Sequence, residues 1–90
     1  MNHLMSLRLR TDNLSWQLTG ENIVVLDLTS SVYLQLSGSG RLLWECLAEG
    51  ATRDELIDAL VNRYEIDADR AGADVDDFLS DLTDRGLLAD

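Results

Sequence analysis

The stretch Val32-Tyr33-Leu34-Gln35-Leu36-Ser37-Gly38-Ser39-Gly40-Arg41-Leu42-Leu43-Trp44-Glu45-Cys46-Leu47 changes its hydrophobic period at Ser37. Up to Leu36 the aliphatic side chains fall at every second position, as on a pleated strand with one buried face. From Leu42 onward the stripe Leu42, Leu43, Cys46, Leu47 recurs at helical spacing. Upstream of this switch, Leu14, Trp16 and Leu18 share one strand face with Ser15 and Gln17 on the other, and Thr19-Gly20-Glu21-Asn22 supplies turn chemistry. Ile23-Val24-Val25-Leu26 is short and β-branched, and Asp27 to Ser31 breaks it. The first part of the chain therefore predicts three strands in a meander.

Downstream the pattern is helical throughout. Ser37-Gly38-Ser39-Gly40 offers N-cap hydroxyls to a first helix, and Gly50 offers a C-terminal stop. Thr52-Arg53-Asp54-Glu55 is a capping-box pattern before the stripe Leu56, Ile57, Leu60, Val61, Tyr64. Asp67 or Asp69 can cap a third helix with the stripe Ala71, Val75, Phe78, Leu79, Leu82, and Arg85-Gly86-Leu87-Leu88 reads as a Schellman stop. The expected class is α+β, a three-stranded antiparallel sheet followed by three helices that cover one sheet face, with at least one sheet edge left open. Residues 1–13 read as an N-terminal tail, in which the alternating Leu7-Arg8-Leu9-Arg10 leaves room for some order, and residues 14–90 as the domain.

Ninety residues suit one small core. Seventeen acids against seven bases, all arginine, leave a formal charge of −10. Such a field repels phosphate, which argues against nucleic acid and anionic membrane as partners. A DNA reader would also need basic residues on its recognition helix, and the second and third helices are dominated by acids. No stretch is long and apolar enough to span a bilayer, and the first ten residues lack the apolar core of a secretory signal, so the cytoplasm is the default location. Met5 is an alternative start.

Little here supports chemistry. His3, the single histidine, sits in the tail and is read as inert. Cys46, the single cysteine, lies on an apolar helical stripe without a patterned base, so it reads as a small core residue rather than a nucleophile or metal ligand. Gly38 and Gly40 lack the third glycine and the lysine of a phosphate cradle. Asp67, Asp69, Asp74, Asp76, Asp77, Asp81 and Asp84 form a solvated face or a negative rim that selects a basic peptide, and their spacing matches no calcium loop. No nucleophile, base and orienter can be assembled, so no enzyme activity and no cofactor are expected. Trp44 reads as core, whereas Tyr33, on the strand face opposite Val32, Leu34 and Leu36, is open to a structural or a partner-contacting role.

The ordered string Leu26-Asp27, Val32-Tyr33-Leu34-Gln35-Leu36-Ser37, Gly40, Trp44, Leu47, Gly50, Thr52, Glu55, Leu56, Leu60, Tyr64, Asp74-Val75, Phe78-Leu79, Leu82 and Gly86-Leu87 resembles the PqqD-like family. These are peptide-recognition domains of pathways that make ribosomal, modified peptides. The match runs over about residues 14 to 88 and lies in the order of the motifs rather than in any one of them. With Trp16 in the first strand, the chain looks most like the free-standing leader-binding branch found in lasso peptide gene clusters.

The resemblance implies a winged helix-turn-helix scaffold that does no chemistry. It implies binding of a precursor's leader segment and its delivery to a processing enzyme, a cysteine-protease-like leader peptidase and an ATP-dependent cyclase in lasso systems. It further implies that the leader adds as a strand along the third strand, with Val32, Tyr33, Leu34 and Gln35 on the strand side and Asp74, Val75, Phe78, Leu79 and Leu82 on the helix side. Two rival readings are a chaperone of the same family serving a radical-SAM peptide maturase, and an acidic adaptor that docks onto an enzyme without touching a leader. Ser31 stands where the family's turn usually carries glycine, which argues against a positive φ there and for a differently shaped hairpin tip. Ser37 replaces a common asparagine at an N-cap, a change expected to matter little.

Overall fold

The computed structural model describes residues 6–89, so His3 and Met5 lie outside the described residues. Strands β1 (Leu14–Thr19), β2 (Asn22–Asp27) and β3 (Val32–Leu36) form an antiparallel sheet in the order β1-β2-β3. Thr19 faces Asn22 across the loop Gly20-Glu21, where only Gly20 has a positive φ, at 63°, the geometry for which two-residue hairpins use glycine. In the second hairpin the register runs from Ile23 opposite Leu36 to Asp27 opposite Val32. Period-two alternation then turns Ile23, Val25, Asp27, Val32, Leu34 and Leu36 toward the helices and Leu26, Tyr33 and Gln35 away from them. With β2 in the middle, β1 and β3 are both edges, each unpaired on one side among the described residues.

The helices are α1 (Gly38–Glu49), α2 (Arg53–Tyr64) and α3 (Ala68–Arg85). Around α2 both capping-box bonds are made: the Glu55 amide donates to Thr52 Oγ1 at 3.1 Å and the Thr52 amide to Glu55 Oε1 at 2.8 Å. Asp67 caps α3 by accepting from the Arg70 amide at 2.8 Å. At its other end Gly86, with φ 72°, and the Leu87 amide bonded to the Leu82 carbonyl at 2.9 Å complete the Schellman motif. Leu87 beyond it is buried.

Three sequence expectations are corrected here. Ser37 occupies the N-cap of α1, but its hydroxyl makes no capping bond; its carbonyl instead accepts from the Gly40 amide at 3.1 Å. Ser31 does adopt a positive φ, 61°, because its amide is held by the Asp27 carbonyl at 2.8 Å while the Thr29 amide bonds the Asp27 carboxylate at 3.0 Å. The turn thus keeps the shape expected of glycine and carries the strain of a Cβ in the left-handed region, about 1–2 kcal/mol. Tyr64 is not core: α2 ends at this residue, and its ring lies at the surface with the Arg63 guanidinium 5.6 Å from its centroid.

The core is built from Leu43, Trp44 and Leu47 of α1, Leu56 and Leu60 of α2, Ala71, Val75 and Leu82 of α3, and Ile23 and Val25 of β2. Leu9 joins it, since the Leu7 amide bonds the Ala51 carbonyl at 2.7 Å and the Arg10 amide the Leu87 carbonyl at 2.8 Å, drawing residues 7–10 onto the body. Helix α3 packs chiefly on α2, where Arg53 bonds both carboxylate oxygens of Asp76 at 2.7 and 2.9 Å, and this leaves a cleft between α3 and β3. The arrangement is α+β and fits a winged helix-turn-helix. Among the described residues no helix is long and apolar enough to cross a membrane.

Candidate functional site

An edge strand offers a row of unpaired amides and carbonyls, so a site begins wherever such an edge meets a hollow that accepts side chains. Beside β3 there is one. A cavity of about 230 Å³ opens between the inner face of the second hairpin and the end of α3. Val32 and Leu34 of β3 form one wall, Val25 and Asp27 of β2 the base, and Arg85 and Leu87 the far side. Its lining is largely aliphatic, and Val32 at the rim is 50% exposed although it lies on the inner face of the strand.

Asp27 is the polar end of this hollow. Arg10 Nη2 donates to its Oδ1 at 2.7 Å, and Arg10 Nη1 reaches the Gly86 carbonyl at 2.9 Å. One guanidinium thus ties the cap of α3 to β2 and sets the width of the cleft at this end. The same guanidinium holds the Asp27 carboxyl below the usual carboxylate range; burial opposes it, and the Thr29 amide adds to it. Arg85 is in turn bonded to Asp81 one turn back, at 3.2 Å.

The far end of the cleft lies at the other end of β3. Gly40 faces Leu36 and Phe78 together: a methyl group there would stand 3.4 Å from Leu36 Cδ2 and 3.7 Å from Phe78 Cε1. Phe78 and Leu79 are half-buried against the core and present the accessible apolar surface of α3. Val75 and Leu82 are fully buried, so they fix the position of α3 rather than line the opening. Asp74 is exposed one turn before Phe78 and borders a separate hollow with Gly38, Tyr64 and Arg70. Tyr33, 69% exposed, and Gln35 occupy the outer face of β3, where Leu26 stands opposite Tyr33. The structure thus puts Val32 and Leu34 in the wall of the cavity, Phe78 beside Gly40 and Leu36 at the other end of β3, Leu79 half-buried against the core, Tyr33 and Gln35 on the reverse of the strand, and Asp74 on a separate hollow.

Sequence reasoning missed Val25, Asp27, Ser30, Arg85 and Leu87 as cavity-lining residues. The signal for Asp27 was present, because alternation from Ile23 and Val25 puts it on the buried face. Nothing local signalled Arg10, which acts across 17 positions.

The arrangement can hold an extended peptide through main-chain pairing along β3 and an aliphatic hollow for alternate side chains. A family model described as "Coenzyme PQQ synthesis protein D (PqqD)" matches residues 22–88. Among solved structures, "TbiB1 in Complex with the TbiA(beta) Leader Peptide" is similar at 29% identity and a TM-score of 0.83, covering 92% of this chain and 99% of that one. "Lasso peptide synthetase B1 complexed with the leader peptide" is similar at 26% identity and a TM-score of 0.82, covering 93% and 98%. No curated protein matches. With the family model spanning residues 22–88, most of the sequence, the chain belongs to the PqqD family.

Proposed function

We propose that this protein binds the leader segment of a ribosomally made precursor peptide as a fourth strand on β3 and delivers it to a processing enzyme. The observation that carries the reading is the coincidence of a free edge with an aliphatic cavity directly beneath it. Backbone pairing supplies affinity for any extended segment, while the hollow at Val32, Leu34 and Leu87 selects for a hydrophobe in the leader. Its likeness to two structures described as complexes with leader peptides supports a leader peptide as the occupant. The description of the second also favours a lasso peptide pathway, in which the receiving enzymes are a leader peptidase and a cyclase. The protein itself binds and presents; it does not transform. An ordered leader must offset its own chain entropy, so pocket contacts govern the response to mutation.

The test is a fluorescence-polarisation titration of the precursor's leader against the wild type and two variants. Phe78→Asp places a carboxylate on the helix wall and Leu34→Glu one on the strand wall. Both are expected to lose binding, and circular dichroism establishes that each is folded. Because both side chains also touch the core, Val32→Ala, half-exposed at the rim, provides a variant that leaves packing intact. Undiminished leader binding by folded Phe78→Asp and by Val32→Ala would refute the assignment of the cleft.

A further inference from the structure

Once β3 is assigned to the leader, the opposite edge of the sheet remains unexplained. Strand β1 reads Leu-Ser-Trp-Gln-Leu-Thr and β3 reads Val-Tyr-Leu-Gln-Leu; neither contains a charge or a proline, in a chain of which 27% is charged. Natural edges are ordinarily blunted by such residues. Alongside β1 runs a groove of about 500 Å³, with Trp16 and Leu18 on the strand side, Ile23 at its base, and Glu45, Ala48 and Glu49 on the α1 side. Trp16 stands edge-on to the buried Trp44, with ring centroids 5.6 Å apart, which fixes one wall while leaving much of its own surface open.

The acids of this groove are poorly placed for the stability of α1 itself. Glu45 and Glu49 are four residues apart on one helical face, a like-charge spacing that repels. Both lie toward the C-terminal end, where the helix dipole favours cations, and the last turn of α1 carries no basic residue. Arg41 lies 3.6 Å from Glu45, whereas Glu49 pairs with no cation among the described residues. Their field is felt next door at Cys46, whose thiol is pushed up by burial first and then by Glu45 and Glu49.

We propose that the groove between β1 and α1 docks a basic, extended segment of the processing enzyme, added as a strand on the free side of β1 with Lys or Arg side chains over Glu45 and Glu49. This rests on the reading of β3 as the leader's edge. Strand β2 separates the two edges, so leader and enzyme segment bind together, as delivery requires. Charge complementarity selects this occupant over a second copy of the chain, which would bring two domains of formal charge −10 and two glutamate pairs face to face.

The experiment records amide chemical shifts of the full-length, isotope-labelled protein. The probe is a capped hexapeptide alternating Arg and Val, compared with its Glu/Val counterpart, each titrated with and without saturating leader. The Arg peptide should move amides of residues 14–19 and 45–49, leave 32–36 in place, and do so equally when leader is bound. The Glu peptide should bind about tenfold or more weakly, and Glu49→Arg, an exposed change, should narrow that gap. Movement confined to residues 32–36, displacement by leader, equal binding of the two peptides, or no movement overturns the proposal. The leader-only titration separately tests the β3 reading: leader that leaves residues 32–36 unmoved overturns that reading, whatever the hexapeptides do at β1.

Discussion

Three exposed aliphatic residues of nearly equal accessibility distinguish the two edges of the sheet. Val32 on β3 is 50% exposed, Leu28 in the turn before it 55%, and Leu18 on β1 55%. A leader added to β3 covers the open half of Val32 and neither of the others. Full burial of a valine side chain contributes about 1.5–3 kcal/mol, so covering the remaining half contributes about 1 kcal/mol, and Val32→Ala should weaken leader binding roughly fivefold. The ordering cost of the leader is common to all variants and cancels in the comparison. Leu28→Ala and Leu18→Ala should remain within about twofold of the wild type, since surface truncations away from a contact change little. Fluorescence polarisation with labelled leader gives the three dissociation constants, and a thermal melt of each variant confirms equal folding. Weaker binding by Leu18→Ala with Val32→Ala unchanged would move the leader to β1 and refute the reasoning.

Thr52→Ala removes one arm of the α2 capping box and should destabilise the protein by about 1 kcal/mol in urea unfolding, with leader affinity unchanged. The Arg10–Asp27 pair makes a pH-dependent contribution. Because the folded carboxyl lies below its ordinary value of 3.8, that contribution is complete above this value and drains away as the pH falls through the folded one. The difference in melting temperature between wild type and Arg10→Met should therefore shrink below about pH 4, leaving only what the guanidinium bonds to the Asp12, Asn13 and Gly86 carbonyls supply; a difference that stays constant with pH contradicts the pairing. Cys46 should alkylate more slowly than a free thiol at pH 8.5, because its raised pKa lowers the thiolate fraction, and unfolding in urea should abolish the difference.

Local signals carried most of the fold. The period switch at Ser37 separates sheet from helices, Thr52 and Glu55 open α2, and Gly86 with Leu87 closes α3, as their short-range chemistry requires. Where the sequence left a segment open or misled, the deciding interaction was non-local or geometric. Leu9 is core because Leu88 and Ala51 draw its segment in, a pairing that no window of neighbouring residues contains. Ser31 accepts a left-handed conformation because the Asp27 turn holds it there. Alternation gave which side chains of β3 face the helices, whereas the strand-side set Val32, Tyr33, Leu34 and Gln35 came from the family resemblance, and Tyr33 and Gln35 of that set lie on the outer face. On the helix side, the stripe Val75, Phe78, Leu79, Leu82 gave the buried face of α3 but not where burial ends; only the packed structure separates Phe78 and Leu79, half-buried, from Val75 and Leu82, which are enclosed.

Amide hydrogen exchange along β3, with and without the precursor's leader, tests strand addition most directly. Alternate amides within residues 32–36 face away from β2, and a leader paired there should slow their exchange while leaving β1 unchanged. Exchange along β3 that does not respond to saturating leader would contradict the account.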